Sequence, residues 1–147
     1  MKIDELHIVL AEDDRDDRMF FKSAFKGLKI DNKLTICEDG LSLMDYLTTA
    51  DPLPHILFLD LNMPGKNGME CLKELRANSR YNDLSIAIYT SLRSPGINEE
   101  VLIEGANIFI RKPNDPDALK KILTEVVYIN WQYLTDGLSK QNFMLSY

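Results

Sequence analysis

The sequence lacks the features that mark several classes of protein. It has no run of roughly 18 consecutive apolar residues, so we expect no membrane-spanning helix. The opening stretch, MKIDELHIVLAEDD, has too short an apolar run, followed at once by acids, to be a signal peptide. A formal net charge of −6 argues against nucleic-acid binding, which needs a basic surface. We therefore expect a cytoplasmic protein whose partners include neither a membrane nor a nucleic acid.

Residues that bind transition metals or form disulfides are scarce. The sequence has two cysteines, Cys37 and Cys71, and two histidines, His7 and His55. The cysteines stand at no metal-like spacing, and neither histidine has a second type of ligand beside it. We expect both cysteines to be reduced, packed thiols, and we expect no zinc site.

The sequence also has no low-complexity segment, internal repeat or evident linker, and its 147 residues suit one domain. Short apolar runs alternate with amphipathic stretches, which predicts alternating strands and helices. The predicted strands are residues 6–10, 33–37, 56–59, 85–89 and 107–110, and the predicted helices are residues 16–28, 40–49, 69–77 and 98–104. A longer fifth helix begins at Pro116, after the N-cap residue Asp115. We divide the chain into a domain of residues 1–134 and an unassigned C-terminal tail, residues 135–147.

This alternation, repeated five times, predicts an α/β fold with a five-stranded parallel sheet, (βα)5 and doubly wound. The functional crevice of such a sheet lies outside the carboxyl ends of its strands. Polar residues follow four of the strands: Glu12, Asp13 and Asp14 after the first, Asp60 after the third, Thr90 and Ser91 after the fourth, and Lys112 with Pro113 after the fifth. Each alone has an ordinary explanation as a turn, cap or surface residue. Their joint occurrence at one edge predicts a functional site.

The same residues carry a family resemblance. Glu12-Asp13, Asp60, Thr90 and Lys112-Pro113, with the stretches LDLNMPGKNG and GANIFIRKP, resemble the receiver domain of bacterial two-component response regulators over residues 5–132. The resemblance implies a flavodoxin-like fold and a phosphoacceptor signalling protein. Its enzymatic activity would be limited to autophosphorylation from small phosphodonors and autodephosphorylation.

The resemblance also implies a role for each site residue. Asp60 would accept a phosphoryl group from a histidine kinase or a histidine phosphotransfer protein. Mg²⁺ (or Mn²⁺) would be bound directly by Asp13 and Asp60, by the backbone carbonyl of Asn62, and by Glu12 through a water. Lys112 would pair with the phosphoryl oxygens as a point charge.

Two further pairs of residues are expected to control the response. Thr90 would donate its hydroxyl to the phosphoryl group, and Phe109 occupies the family's aromatic switch position. We expect Phe109 to turn inward on phosphorylation; the alternative is that Phe109 is simply a core residue. Asn62 and Leu92 would flank the path of the attacking water and tune the phosphoryl lifetime. Because Leu92 is apolar and cannot orient a water, we expect slow autodephosphorylation.

The expected partners are proteins. We find no DNA-binding module, so we expect a stand-alone receiver with an unknown downstream protein. A kinase would dock on the first helix, near residues 15–21, where Met19 or Phe20 would be exposed. The long last helix with Trp131 resembles the small receivers that partner phytochrome-type kinases. Apolar and aromatic residues continue to the C-terminus, which suggests a homodimer through this region or, alternatively, a tail folded back on its own domain: Val127, Ile129, Tyr133, Leu134, Phe143, Met144, Leu145 and Tyr147.

Two other functions fit parts of the pattern. One is a binding module with the receiver fold that acts independently of phosphorylation. The other is an aspartyl-phosphate phosphatase of the haloacid-dehalogenase type, which also combines Asp, Mg²⁺, Thr/Ser and Lys. Such phosphatases carry a second Asp two positions after the nucleophile, whereas this sequence has Asn62 there.

Overall fold

One parallel sheet forms the centre of the molecule. The computed structural model describes residues 5–136 and 145–146, with side chains through residue 129. The strands are β1 (Leu6–Ala11), β2 (Asn32–Cys37), β3 (Ile56–Leu59), β4 (Ser85–Thr90), β5 (Ile108–Arg111) and β6 (Leu145–Ser146). They lie in the order β2-β1-β3-β4-β5-β6, and every neighbouring pair is parallel.

Five α-helices alternate with the first five strands. They are α1 (Arg15–Phe25), α2 (Gly40–Thr49), α3 (Gly68–Arg76), α4 (Ile97–Ile103) and α5 (Pro116–Asp136), and a short 3-10 helix, Ser79–Tyr81, precedes β4. In the part of the chain that the structure describes, none of these helices combines the length and the apolar character needed to cross a membrane.

Side-chain caps fix where four of the five α-helices begin; the exception is α4, which follows Gly96. The carboxylates of Asp14, Asp39 and Asp115 each accept a hydrogen bond from a backbone N–H two or three residues ahead. Asn67 and Glu70 form a reciprocal capping box at α3. Each cap satisfies an N–H group that has no partner within its helix. The predicted cap at Asp115 is therefore confirmed.

The predicted α/β fold with five parallel strands and five helices is confirmed, with element ends shifted by up to three residues. The structure adds β6, two residues of the tail that we left unassigned. A strand this short carries no periodicity that could have predicted it. Helix α5 runs to Asp136, so the boundary expected at residue 134 falls inside the helix. Residues 137–144 and 147 lie outside the described part, as do the side chains from residue 130 onward.

The sheet is buried on both faces. Helices α1 and α5 cover one face, and α2, α3 and α4 cover the other. On the first face Phe21 of α1 packs against Phe25, Phe58 and Tyr89, with ring centroids 4.8 to 5.6 Å apart. Burying a side chain of this size stabilises the fold by about 1.5–3 kcal/mol. The aromatic cluster therefore holds α1 firmly against the sheet, with its first turn at the carboxyl ends of the strands.

Arg76, the last residue of α3, fastens the opposite end of the sheet. Its guanidinium donates hydrogen bonds of 2.8 to 2.9 Å to the carbonyl oxygens of Tyr81, Leu84 and Gly105 and to Oδ1 of Asn107. These acceptors lie just before β4 and β5. One side chain thus links the loops that enter two neighbouring strands.

Both cysteines are packed thiols, as predicted. Cys37 and Cys71 are free and buried. Burial raises the pKa of each thiol to about 11, which keeps both protonated at neutral pH.

Candidate functional site

Three carboxylates meet where β1 and β3 end. Glu12 and Asp13 follow β1, and Asp60 follows β3, the neighbour of β1 in the sheet. The backbone N–H of Asp60 donates to the carbonyl oxygen of Ala11 at 3.1 Å, which continues the pairing of the two strands. One oxygen from each of Glu12, Asp13 and Asp60 lies within 4.8 Å of the other two. We call these three residues the acid cluster.

The acid cluster is only partly open to solvent. Glu12 is fully buried and Asp60 is 4% exposed, whereas Asp13 is exposed. Burial, and after it the neighbouring Asp60 carboxylate, raises the pKa of Glu12 to about 8. Carboxylates this close disfavour one another's negative charge when no cation is bound. Carboxylate oxygens at this separation suit a hard divalent cation, so the donor set fits a metal site for Mg²⁺ or a similar ion.

Lys112 supplies the positive charge of the site. Its Nζ donates hydrogen bonds to Oε1 of Glu12, to Oδ2 of Asp17 at 2.8 Å and to Oδ2 of Asp60 at 3.3 Å. Its backbone N–H donates to the carbonyl oxygen of Thr90 at 2.8 Å, which fixes the direction in which the side chain leaves β5. Burial alone would lower the pKa of Lys112, but the hydrogen bonds to Asp17 and Glu12 outweigh it, and the net direction is upward. Lys112 therefore stays charged.

Close backbone packing positions the loop after β3. The N–H of Asn62 donates to Oδ1 of Asp60 at 3.3 Å, so the loop turns back toward the carboxylate. The same loop lies against two glycines, Gly40 at the start of α2 and Gly68 at the start of α3. A Cβ atom at Gly68 would lie 2.1 Å from the carbonyl oxygen of Asp60, and one at Gly40 would lie 2.0 Å from that of Lys66. Asp60 is thus held by contacts that no larger residue would permit.

Thr90, Leu92 and Phe109 lie on the β4–β5 side of the crevice. Thr90 ends β4, between the strands that carry Asp60 and Lys112, and is fully buried. Its Oγ1 accepts a hydrogen bond from the backbone N–H of Leu92 at 3.1 Å. Strand alternation puts Thr90 on the face of the sheet that Phe109 also occupies.

Phe109 points inward in this structure. It is 1% exposed and packs in the core beneath α4, and the Arg111 guanidinium lies 5.7 Å from its ring centroid. The inward position agrees with the expectation that Phe109 is a core residue. A movement of Phe109 on phosphorylation stays a prediction.

Asp17 is a site residue that the sequence did not reveal. It stands in the first turn of α1, where an acid is ordinarily explained by the helix dipole. Only the position of α1 on the sheet, together with the N-cap at Asp14, turns its carboxylate toward Lys112. The sequence has one signal for this role: every residue from 12 to 17 except Arg15 is an acid.

A cleft of about 200 Å³ opens beside Lys112, between α1 and the loop after β5. Asp17, Phe20 and Tyr89 line it together with Lys112. Phe20 is 50% exposed and Met19 is 60% exposed, so the exposure predicted on α1 is confirmed for both side chains. The crevice therefore has an apolar, accessible rim on the α1 side.

The structure brings the sequence-predicted residues to one edge of the sheet. Glu12, Asp13, Asp60 and Lys112 form one connected group, and the backbone of Asn62 contacts Asp60. The other predicted residues, Thr90, Leu92 and Phe109, lie on the adjoining strands. The individual roles expected for these residues stay predictions.

Solved structures share this architecture. The Mn(2+)-bound form of response regulator Rcp1 is similar with a TM-score of 0.75 and 26% identity, over 82% of this chain and 91% of that chain. The phosphorylated cyanobacterial phytochrome response regulator RcpA is similar with a TM-score of 0.79, over 92% of this chain and 97% of that chain. At 19% identity, the second likeness supports the fold alone.

Sequence comparison identifies the family. A chemotaxis protein CheY homolog of Campylobacter jejuni is 30% identical over 122 residues, which cover 83% of this chain and 92% of that protein. The family model of the response regulator receiver domain matches residues 8–124, which is most of the chain and includes the carboxyl ends of β1 to β5. The chain therefore belongs to the response regulator receiver domain family, whose members are signalling proteins.

Proposed function

We propose that this chain is a phosphoacceptor response regulator of a two-component or phosphorelay system, in which phosphorylation of Asp60 changes contacts with other proteins. The observation that carries the proposal is the position of Asp60, which lies beside the carboxylates of Glu12 and Asp13 and beside the Lys112 ammonium. A carboxylate that must attack an anionic phosphoryl group needs neighbouring positive charge and a fixed position. The contacts of Asp60 with Lys112 and the Asn62 N–H supply both.

The proposed metal is Mg²⁺, with Mn²⁺ as a substitute. Asp13 and Asp60 would bind it directly, the Asn62 carbonyl would add an oxygen, and Glu12 would act through a water. The spacing of the three carboxylates supports this assignment, and the Rcp1 structure carries Mn(2+) in a similar fold. When bound, the cation neutralises the negative charge of the phosphoryl group and of the acid cluster.

The transfer itself needs no residue to release or take up a proton. An Oδ atom of Asp60 attacks phosphorus, the bond between phosphorus and the donor atom breaks, and the donor leaves with the electron pair. Lys112 would then turn one N–H to a phosphoryl oxygen, and the Thr90 hydroxyl would donate a hydrogen bond to another. In the existing hydrogen bond the Thr90 oxygen is the acceptor of the Leu92 N–H. Its O–H can therefore donate to the phosphoryl group while that bond is kept.

The expected output is a change on the surface formed by α4, β5 and α5. Since Phe109 is already inward here, the switch requires that unphosphorylated protein also populates an outward position. Asn62, exposed two residues after Asp60, and Leu92, two residues after Thr90, would set the phosphoryl lifetime. Slow autodephosphorylation follows from the apolar side chain at Leu92.

The proposed partners are a histidine kinase or a histidine phosphotransfer protein in the cytoplasm, docking at Met19 and Phe20 of α1, and an unidentified downstream protein. A homodimer through the C-terminal region is a further proposal. Pairing of Leu145–Ser146 with β5 of the same chain supports the fold-back alternative for the tail. The side chains of Trp131, Tyr133 and Leu134, and the residues Phe143, Met144 and Tyr147, on which the dimer proposal also depends, lie outside the described part. Light scattering with and without residues 137–147 distinguishes a dimer from a folded-back monomer.

Two alternatives are less well supported. A binding module that acts independently of phosphorylation would not need the charged contacts around Asp60. An aspartyl-phosphate phosphatase would need a proton donor where Asn62 stands, and its nucleophile would end the first strand in the chain. Asp60 instead follows the third strand, β3.

Beryllofluoride, a mimic of the phosphoryl group, tests the proposed acceptor directly. With Mg²⁺ present, we expect it to shift the backbone NMR signals of Asp60, Asn62, Thr90 and Lys112. We expect no such shifts without Mg²⁺ or in Asp60→Asn. Equal shifts in wild type and Asp60→Asn would refute the acceptor and favour the phosphorylation-independent module.

A further inference from the structure

We propose that Asp17 is a positioning residue, which holds the Lys112 ammonium at the place where it meets the incoming phosphoryl group. The inference rests on the proposed function and adds to it a residue outside the acid cluster. Asp17 would touch neither the phosphoryl group nor the metal. It would act only through Lys112.

The geometry around Nζ of Lys112 supports this role. An ammonium has three N–H donors, and here each has one carboxylate acceptor: Glu12, Asp17 and Asp60. The bond to Asp17 is 2.8 Å long, whereas the bond to Asp60 is 3.3 Å. The ring of Tyr89 lies 5.1 Å from Nζ on a further side. Asp17 therefore binds Lys112 more closely than the proposed acceptor does.

Asp17 is itself held in place by local structure. Its backbone N–H donates to the N-cap carboxylate of Asp14 at 2.9 Å, which fixes the first turn of α1. One turn later, Phe21 anchors the same helix in the aromatic cluster. The carboxylate of Asp17 is thus presented from a rigid element, and it can define the position of a flexible lysine side chain.

Exposure separates Asp17 from the other two acceptors. Its side chain is 36% exposed, compared with 0% for Glu12 and 5% for Asp60. When Lys112 turns an N–H toward a phosphoryl oxygen, one of its three acceptors must lose its bond. Water can solvate the Asp17 carboxylate, whereas a buried carboxylate left without a partner costs far more free energy. Asp17 is therefore the acceptor that can hold Lys112 before transfer and release it during transfer.

Without Asp17, two acceptors remain for three donors. The ammonium would then be held only by the buried carboxylates of Glu12 and Asp60, and it would lose the contact that holds it toward the more exposed side of the site. Misplacing a group that stabilises transferred charge slows transfer without changing the metal ligands. The predicted defect is in the rate of transfer and not in the affinity for Mg²⁺.

Asp16 provides a matched control. It is exposed, stands in the same turn of α1 and forms no ion pair within the described residues. Asp16→Ala and Asp17→Ala remove the same charge and the same helix-dipole contact, but only the second removes the contact with Lys112. The rate is measured as phosphorylation by acetyl phosphate at saturating Mg²⁺, followed by intact mass. We expect Asp17→Ala to be about tenfold slower than Asp16→Ala, as for the loss of an oriented charge contact.

A double-mutant cycle tests whether Asp17 acts through Lys112. In a Lys112→Ala background, Asp17→Ala should cause no further decrease in rate. An equal decrease in both backgrounds, or equal rates for Asp16→Ala and Asp17→Ala, would overturn the proposal. If wild type itself forms no adduct and releases no inorganic phosphate above the Asp60→Asn control, the proposed function fails. That result is distinct from an adduct that forms equally fast in wild type, Asp16→Ala and Asp17→Ala, which overturns only the role of Asp17.

A spectroscopic measurement covers the case in which Lys112→Ala is too slow to follow. In protein labelled with ¹⁵N-lysine, the Lys112 ammonium signal should shift in Asp17→Ala and remain at its wild-type position in Asp16→Ala. Asp17→Glu, which keeps the charge, should restore part of the transfer rate. An unchanged ammonium signal in Asp17→Ala would contradict the positioning role.

Discussion

Gly68 and Asp60 are in backbone contact: a Cβ atom at Gly68 would lie 2.1 Å from the Asp60 carbonyl oxygen. Gly68 begins α3, and its own N–H donates to the Leu61 carbonyl oxygen at 3.1 Å. Helix α3 therefore rests directly on the peptide group of the proposed acceptor. A side chain on Gly68 could be accommodated only by moving α3 or the loop that carries Asp60.

Gly68→Ala should therefore lower both stability and phosphorylation. We expect a loss of about 1–3 kcal/mol in the free energy of unfolding, as for an overpacked core, measured by urea denaturation. Because the displaced atom belongs to Asp60, the yield of phosphorylated protein should also fall. Gly27→Ala is the control, since its nearest neighbour is the flexible end of Lys120, at 3.1 Å. Equal effects of the two substitutions would contradict the proposed contact.

Substitution of Arg76 should lower the stability of the protein but leave its phosphorylation rate nearly unchanged. Arg76→Met removes the donor to three carbonyl oxygens and to Asn107, and we expect it to lower the free energy of unfolding by about 2–4 kcal/mol. These contacts lie at the amino ends of β4 and β5, remote from Asp60. The phosphorylation rate at a temperature where the variant is folded should stay within about twofold of wild type. Arg93→Met, at an exposed position, should change neither quantity.

His7 should make the protein less stable in mild acid than it would be with a side chain that does not titrate. Burial, and after it the charge of Lys33, lowers the pKa of His7 below its usual value, while Glu5 opposes the shift. The folded protein thus binds a proton at His7 less readily than the unfolded chain does. The contribution of His7 to stability is fully present above the unfolded-state pKa of about 6.5 and falls as the pH drops below it. Glu12, whose pKa is raised to about 8, contributes in the opposite direction over the same range, so the contribution of His7 is measured against a variant that lacks it.

Urea denaturation at pH 7.5 and pH 5.5, without metal, measures this effect. The ring Nε2 of His7 lies 3.2 Å from Thr35 Oγ1 and 3.1 Å from the Tyr46 hydroxyl, and the His7 backbone N–H donates to His55 Nδ1 at 2.8 Å. His7→Gln keeps polar contacts but does not titrate, so the change from pH 7.5 to pH 5.5 should be less favourable to the stability of wild type than to that of His7→Gln. An equal change in the free energy of unfolding of the two proteins would contradict the contribution assigned to His7.

The lifetime of the phosphoryl group should depend on Leu92. Leu92→Glu introduces a carboxylate two residues after Thr90, where it can orient an attacking water, so we expect the lifetime to shorten by about threefold or more. The lifetime is measured as loss of the adduct mass after the phosphodonor is removed. Arg93→Glu introduces a carboxylate at the next, exposed position and should leave the lifetime near that of wild type. If both variants decay at the wild-type rate, Leu92 does not control hydrolysis.

The sequence predicted the fold and most of the crevice because both follow from short-range patterns. Apolar runs such as ILFL identified buried strands, and the parallel arrangement then implied that Asp60 and Lys112 lie at the same edge. The Asp115 cap with Pro116 gave the start of α5 for the same reason. Each of these inferences needs only residues that are close in sequence and one general rule about parallel sheets.

Other features depend on distances between elements, which no local pattern encodes. Asp17 reaches Lys112, 95 residues away in the chain, only because aromatic packing sets the position of α1. Gly68 approaches the Asp60 peptide group only because α3 packs against the loop after β3, and no local sequence pattern indicates that contact. The contacts of Arg76 and the pairing of β6 with β5 likewise join separate parts of the chain. These features could be learned only from the assembled structure.

Intact mass after incubation with acetyl phosphate tests the central claim most directly. Wild-type protein with Mg²⁺ should gain the mass of one phosphoryl group, and neither Asp60→Asn nor wild type with a chelator should gain it. An adduct on Asp60→Asn, or one that forms equally well with the chelator, would contradict a metal-dependent acceptor at Asp60. An absent adduct in wild type, with no release of inorganic phosphate above the Asp60→Asn control, would contradict phosphorylation altogether.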